Sequence, residues 1–278
     1  MISQKLRNIL FLMRYYISNL LFFRVGGYLA EGRISQYKTF WSRLYEKNCG
    51  HRTWLVVANG PSLDVADLDL LNAIPSIASN KITLIYPNTN WRPSLFTIAD
   101  PLLLFKLKSN DYSLVPYTLT STSGFHMVRS ENKAPWKMRT LEEAVSLYAT
   151  RREIPEPISK GFFGSKTITI SNIQIAMWLG AKKIYLIGCD HDYEEESSEY
   201  VQKLSHGETS NHFHPDYRKK GEIVNNAPIR AMNSGFEHIR RIADDHGIEI
   251  INVSRKTKLK TFKVSTVEAA LKEYTVSG

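Results

Sequence analysis

The sequence predicts an α/β fold: a Rossmann-like, mostly parallel sheet with helices on both faces, preceded by an N-terminal amphipathic helical extension. Three observations predict it. Short apolar runs alternate with stretches of helical apolar rhythm, as strand–helix–strand units require. The two clearest runs, Leu55-Val56-Val57-Ala58 and Lys183-Ile184-Tyr185-Leu186-Ile187-Gly188, each stop abruptly at small or polar residues. Five predicted strand ends carry a carboxamide or a carboxylate: Asn59, Asn80, Asp100, Asp190 and Asn252. Ligands of parallel sheets bind at the carboxyl ends of the strands, so these five outline a polar crevice.

Residues 1–50 read as a basic amphipathic helical segment. Ile9, Leu10, Leu12, Met13, Tyr16, Ile17, Leu20 and Leu21 recur at helical spacing, with Lys5, Arg7, Arg14 and Arg24 among them. Arg14 interrupts the apolar stretch, which is too short to span a bilayer. No small-residue cleavage site follows it, so no signal peptide is expected. Two roles remain: a helix lying on the inner-membrane surface, or one packed on the catalytic domain or a second subunit.

Residues 51–278 read as one nucleotide-binding catalytic domain. After the first strand, Leu63 to Leu71 suits a short helix, and Ser76 to Lys81 a second strand. Leu95 to Asp100 and Tyr117 to Ser121 follow as strands. Ser165 to Leu179 has helical rhythm and leads into the strongest strand, 183–188. Asn226 to His246 reads as a helix and Ile248 to Val253 as a last strand. Between them, residues 194–221 form a charged loop, a candidate lid.

The chain has 278 residues, 43% of them hydrophobic, enough for one well-packed domain with an appendage. Cys49 and Cys189 are its only cysteines, which fits a reducing, cytoplasmic setting rather than a disulfide scaffold. The formal charge of +9 suits an anionic membrane or a polyanionic substrate. No zinc-finger spacing, RNA-binding aromatic motif or basic heptad is present, so nucleic acid is not expected as a partner.

The residues able to do chemistry fall in three places. Asn59-Gly60-Pro61-Ser62 is a tight turn by composition: Gly60 permits positive φ, Pro61 fixes φ, and Asn59 and Ser62 bond nearby backbone. Such a turn after a strand suits a phosphate or nucleotide. The segment containing Gly164, Ser165, Lys166 and Thr167 precedes a helix. It suits either a phosphate site or a helix entry capped by Ser165 or Thr167. Asp190-His191-Asp192-Tyr193 and Asn211-His212-Phe213-His214 are the third. In an extended segment His212 and His214 face one side. They suit a general base or, with Asp190 and Asp192, a divalent metal.

Taken in order, Asn59-Gly60-Pro61-Ser62-Leu63, Asn80, Leu179 to Asp190 and Asn211-His212-Phe213 resemble the small bacterial sialyltransferases of glycosyltransferase family 42. Ala78-Ser79-Asn80-Lys81, Trp91-Arg92-Pro93 and Asn211-His212-Phe213-His214-Pro215 resemble even more the MptE-like family, formerly domain of unknown function 115. That family takes its name from an archaeal 6-hydroxymethylpterin diphosphokinase. The resemblance covers about residues 52–255.

The sialyltransferase resemblance implies a metal-independent glycosyltransferase with a CMP-sugar donor and no cofactor. Asn59, Gly60, Pro61 and Ser62 would hold the CMP. Asn80, Asp190 and Asp100 (an asparagine in those enzymes) would line its pocket. His212 would be the general base, in Asn-His-Phe where that family has Ser-His-Tyr. Tyr193 and Tyr200 would receive the departing phosphate. His214, Asp190 and Asp192 depart from that pattern and leave the diphosphokinase alternative open. There Asp190 and Asp192 would hold Mg²⁺ on ATP, and Lys166 or Arg92 would steady the phosphates. No P-loop lysine motif is present. A non-catalytic nucleotide-binding module for glycan assembly is the third reading. The transferase reading implies a sialic-acid- or Kdo-like donor sugar and a lipid-linked or glycan acceptor for lipopolysaccharide or capsule. It also implies a peripheral inner-membrane location, and a homo-oligomer is compatible with it.

Overall fold

The computed structural model describes residues 4–107, 114–143, 154, 156–193, 202–205 and 211–277. Helix α1 (Gln4–Ser18) continues through a π-helical turn (Asn19–Val25) into α2 (Gly26–Gly32), and a 3₁₀ turn leads to α3 (Lys38–Asn48). The chain then alternates: β1 (Thr53–Val57), α4 (Val65–Leu70), β2 (Ser76–Ser79), β3 (Leu95–Ile98), α5 (Pro101–Lys106), β4 (Thr118–Ser121) and β5 (Lys133–Trp136). Two short strands, β6 (Met138–Arg139) and β7 (Phe162–Phe163), precede α6 (Ile168–Trp178) and β8 (Lys183–Ile187). The last elements are β9 (Gln202–Leu204), β10 (Ile223–Asn225), α7 (Ile229–Asp245), β11 (Glu249–Asn252), β12 (Lys263–Val264) and α8 (Val267–Ser277).

Eight strands form one sheet in the order β12-β11-β8-β1-β2-β3-β4-β5, and every neighbouring pair is parallel. The chain runs outward from β1 to β5, then returns to the other side of β1 with β8. The strand order therefore reverses between β1 and β8, where a crevice opens at the carboxyl ends. Edge strand β5 carries Pro135, which an edge tolerates because one face of its backbone has no ladder partner.

Side chains alternate across the sheet as the pleat demands. Trp54 and Val56 face one helical layer with Trp41 and Leu44 of α3, Ile173 of α6 and Ile239 of α7. Leu55 and Val57 face the other with Leu68 of α4, Leu102 of α5 and Ala270 of α8. Helix α3, read in sequence as part of the N-terminal segment, thus belongs to the domain core. Helix α6 has no solvent-facing polar side and is buried around its circumference, its Ser171, Asn172 and Gln174 side chains bonded within the core.

Helix α2 sits tightly on the 3₁₀ turn after β4 (Thr122–Met127). A Cβ at Gly27 would lie 2.9 Å from Ser123 Cα, so only glycine permits the approach. Phe11 and Tyr15 of α1 pack edge-on against Phe105 of α5. No helix among the described residues is long and apolar enough to cross a membrane.

Candidate functional site

The crevice between β1 and β8 is built by backbone and one carboxylate. Ala58 N–H donates to Ile187 carbonyl (2.9 Å) and Gly60 N–H to Gly188 carbonyl (2.8 Å), extending the ladder past the strand ends. A Cβ at Gly60 would lie 2.6 Å from Gly188 O and 2.7 Å from Asp190 Cγ, so the turn passes this point only as glycine. Asp190 Oδ2 accepts Ser62 N–H at 2.7 Å, and Oδ1 accepts the Ser62 hydroxyl. Burial raises the Asp190 carboxyl above its usual range, and the Ser62 bonds oppose that rise.

This corrects the reading of Asn59-Gly60-Pro61-Ser62 as a phosphate cradle. The amides of Gly60 and Ser62 are committed within the protein, and Pro61 has none. The Asn59 side chain is turned inward: its Nδ2 donates to Ser79 carbonyl (3.3 Å), and its Oδ1 is shielded without a protein partner. Ser62 does not line the cavity.

A cavity of about 960 Å³ opens from the crevice. It brings together Asn59, Gly60, Pro61, Asn80, Asp100, Gly164, Ser165, Thr167, Asp190, Asp192, Tyr193 and His212 from the sequence reading. Tyr200 and most of the 194–210 loop lie outside the described residues. Asn80, Ser165, Lys166 and His191 have positive φ (60°, 38°, 66° and 53°). They are the only non-glycine residues so strained among those described, and all four line this cavity. Left-handed backbone at non-glycine positions gathers where function maintains it.

His212 is held in one tautomer. Its Nδ1 lies 3.3 Å from the Asn59 carbonyl, which can only accept, so Nδ1 carries the proton and Nε2 the lone pair. Nε2 is shielded and has no protein partner. The ring stacks on Tyr217 with centroids 3.8 Å apart. Burial, then the nearby Arg218 and Lys81 charges, pull its pKa down to about 3.

Around this ring the structure gathers residues to which the sequence reading gave no role: Tyr217 and Lys81, which lie in its motifs, and Arg218, Lys106 and Glu222, which do not. The Tyr217 hydroxyl is bonded to Asn80. Lys81 Nζ donates to the Tyr217 carbonyl at 2.5 Å and lies 5.6 Å from its ring centre. Arg218 donates to the Asn225 carbonyl at 3.2 Å. Lys106 pairs with Glu222 at 2.9 Å. Tyr217 and Arg218 follow the histidine cluster directly, a proximity that was legible; the Lys106–Glu222 pair, 116 residues apart by number, had no sequence signal. Burial raises the Tyr193 phenol, keeping it a neutral donor at the cavity wall.

Several expected site residues have structural work instead. Asp100 caps α5, accepting Leu102 N–H (2.8 Å), and also accepts Asn225 Nδ2 (3.0 Å) while lining the cavity. Thr167 caps α6, deciding the helix-entry question in its favour over Ser165. The Ser165 hydroxyl donates to Ala231 carbonyl in α7 (2.6 Å). Arg92 lies away from the cavity, donating to the Thr89 and Trp91 carbonyls and stacking on Tyr86. Asn252 donates to Cys189 carbonyl (3.0 Å) and pins the end of β8 rather than lining the site.

The expected metal donors do not come together among the described residues. Both Asp190 oxygens serve Ser62, and Asp192 pairs with Lys258 at 2.6 Å. His214 does not share a face with His212: its Nδ1 accepts Asp216 N–H (3.1 Å) as a cap, and it does not line the cavity. Among the described residues, no three His, Cys, Asp or Glu side chains converge.

Sheet order and cavity define a Rossmann-like protein with a large cavity at the switch point of its sheet. The chain belongs to the MptE-like family: the family model described as 6-hydroxymethylpterin diphosphokinase MptE-like matches residues 32–196. In structure the chain is similar to the MAf glycosyltransferase from Magnetospirillum magneticum AMB-1, at 16% identity and a TM-score of 0.50. The match covers 82% of this chain and 36% of that one, so the chain spans little more than a third of its length. At that identity the likeness is one of fold. No curated protein matches the chain.

Proposed function

We propose that the protein is a glycosyltransferase that moves a sialic-acid- or Kdo-like sugar from a CMP-linked donor to a hydroxyl of a surface-glycan acceptor, such as lipopolysaccharide or capsule. The observation that carries this reading is the state of His212. One nitrogen is tied to the Asn59 carbonyl, and the other presents a shielded lone pair in a cavity of about 960 Å³. A fixed imidazole acceptor is what an attacking hydroxyl needs.

The acceptor hydroxyl would donate to His212 Nε2. As its oxygen bonds to the anomeric carbon, the proton passes to Nε2 and the bond from that carbon to the CMP phosphate breaks. Negative charge then grows on the phosphate, where the neutral Tyr193 hydroxyl and the nearby Arg218 charge oppose it. An anion near Arg218 and Lys81 also offsets the charges that depress His212, so the base strengthens when the donor is bound. The shielded Oδ1 atoms of Asn59, Asn80 and Asn225 accept from ligand hydroxyl or amino groups. This chemistry uses no metal and suits the cytoplasm, where nucleotide sugars are made.

The family description favours a second reading, ATP- and Mg²⁺-dependent diphosphate transfer to a pterin. The commitment of both Asp190 oxygens to Ser62 weighs against it. Thermal shift with CMP, CMP-sugars, ATP-Mg²⁺ and 6-hydroxymethylpterin, followed by product analysis, separates the readings. Stabilisation by CMP and release of CMP from a CMP-sugar are expected. Stabilisation by ATP-Mg²⁺ and pterin, with none by CMP, would sink the transferase. CMP binding without turnover on any acceptor would make the protein a binding module.

A further inference from the structure

The N-terminal helix has two apolar faces, and the domain uses only one. Phe11, Leu12 and Tyr15 point inward toward Phe105 and the core beneath. Leu6, Ile9, Leu10, Met13, Tyr16 and Ile17 are 45–61% exposed. At about 100° per residue these six fall within an arc of about 120° opposite the packed face. Arg7 and Arg14 lie along one edge of that arc, both exposed. Isolated exposed apolar residues are ordinary, but a continuous stripe on one helix marks a contact surface.

Charge identifies the contact. Residues 1–30 contain Lys5, Arg7, Arg14 and Arg24 and no Asp or Glu. A second copy of the same face would set cation against cation, whereas an anionic lipid surface matches both the stripe and its rim. Long basic side chains beside an apolar stripe reach the headgroups while the stripe enters the acyl boundary. The opposite, packed face of α1 rests on a wall of the cavity. Helix α5, on which α1 leans, lines the cavity through Pro101, Leu103 and Lys106. Lys106 Nζ sits 5.8 Å from the Phe11 ring centre and 2.9 Å from Glu222.

We propose that the exposed face of α1 is an interfacial lipid-binding surface that seats the protein on anionic phospholipid bilayers, with the α5 wall of the cavity next to the membrane. The assignment holds whatever the cavity binds.

Flotation of the full chain with vesicles of phosphatidylglycerol and phosphatidylcholine in equal parts, and with phosphatidylcholine alone, tests it. Binding to the anionic vesicles is expected, falling as salt is raised. Arg7→Gln and Arg14→Gln should each weaken binding by about fivefold. Met13→Glu with Ile17→Glu should abolish it while leaving the melting temperature and nucleotide binding unchanged, since both positions are exposed. Absent binding to anionic vesicles overturns the proposal. So does wild-type binding by the Met13→Glu/Ile17→Glu protein. A third refutation is light scattering in which that variant turns a dimer into a monomer without any lipid binding, which would assign the face to a second copy.

Discussion

Asp190 grips Ser62 across 128 positions of sequence, one carboxylate oxygen on the amide at 2.7 Å and the other on the hydroxyl. This pair ties the loop after β1 to the loop after β8 and fixes the mouth of the crevice. Asp190→Ala should therefore destabilise the protein by about 2–4 kcal/mol, because it leaves a part-buried amide unpaired and removes two bonds to a charged group. Urea denaturation reads that loss; a change within 0.5 kcal/mol, about what a surface substitution produces, would mean that the grip is dispensable.

Gly60→Ala tests the same closure from the other side. Its Cβ has no space beside Gly188 O and Asp190 Cγ. A loss of about 1–3 kcal/mol is expected from overpacking, together with weakened nucleotide binding. A crystal structure of this variant with an unmoved Asp190 would contradict the argument.

His212→Ala should lower the rate of sugar transfer by about 10²–10⁴-fold, the usual worth of a general base. CMP affinity should change little, since the proposed role is at the acceptor end. Steady-state kinetics with calorimetric CMP titration checks both halves; a fully active variant removes His212 from the mechanism.

The depressed pKa of His212 makes stability depend on pH in a stated direction. The unfolded chain takes up the proton near the ordinary histidine value of about 6.5, while the folded protein resists it down to about 3. Between those values the unfolded state binds more protons, so stability is full above the window and is lost as pH falls through it. His212→Phe keeps a ring on Tyr217 and removes the titration. Its melting temperature should fall less between pH 6.5 and pH 4 than the wild type's, with His191 and His238, also depressed by burial, supplying a residual slope. Parallel slopes for the two proteins would refute the assignment.

Gly235→Ala should disturb the site from a distance. A Cβ there would lie 2.3 Å from Ser165 Cβ, so α7 approaches the Gly164–Thr167 turn only because position 235 is bare. About 1–3 kcal/mol of stability and part of the ligand affinity should be lost together. Loss of stability with unchanged affinity would separate this turn from the site.

Much of the fold was legible because it rests on local pattern. The runs at 55–58 and 184–187 are apolar on both faces, as strands covered by two helical layers must be, and their ends mark the crevice directly. Membership of the cavity wall was legible for four of the five strand-end residues, Asn59, Asn80, Asp100 and Asp190 but not Asn252, because strand ends converge in a parallel sheet. Roles were less so. That Asp190 serves Ser62, that Asp100 caps a helix and that Asn252 pins Cys189 depend on which side chains meet across long separations. His212 and His214 show the limit of spacing rules. Their alternation assumes extended backbone, and the 3₁₀ turn beginning at Pro215 takes His214 as its cap instead.

The left-handed residues Asn80, Ser165, Lys166 and His191 set a direction for engineering. Each holds a conformation that glycine adopts freely, at about 1 kcal/mol or more per position. Glycine at 166 should thus yield a hardier but poorer protein, since the relief comes from the cavity wall. A screen for heat tolerance alone would erode the cavity, whereas one for ligand binding would preserve its strain.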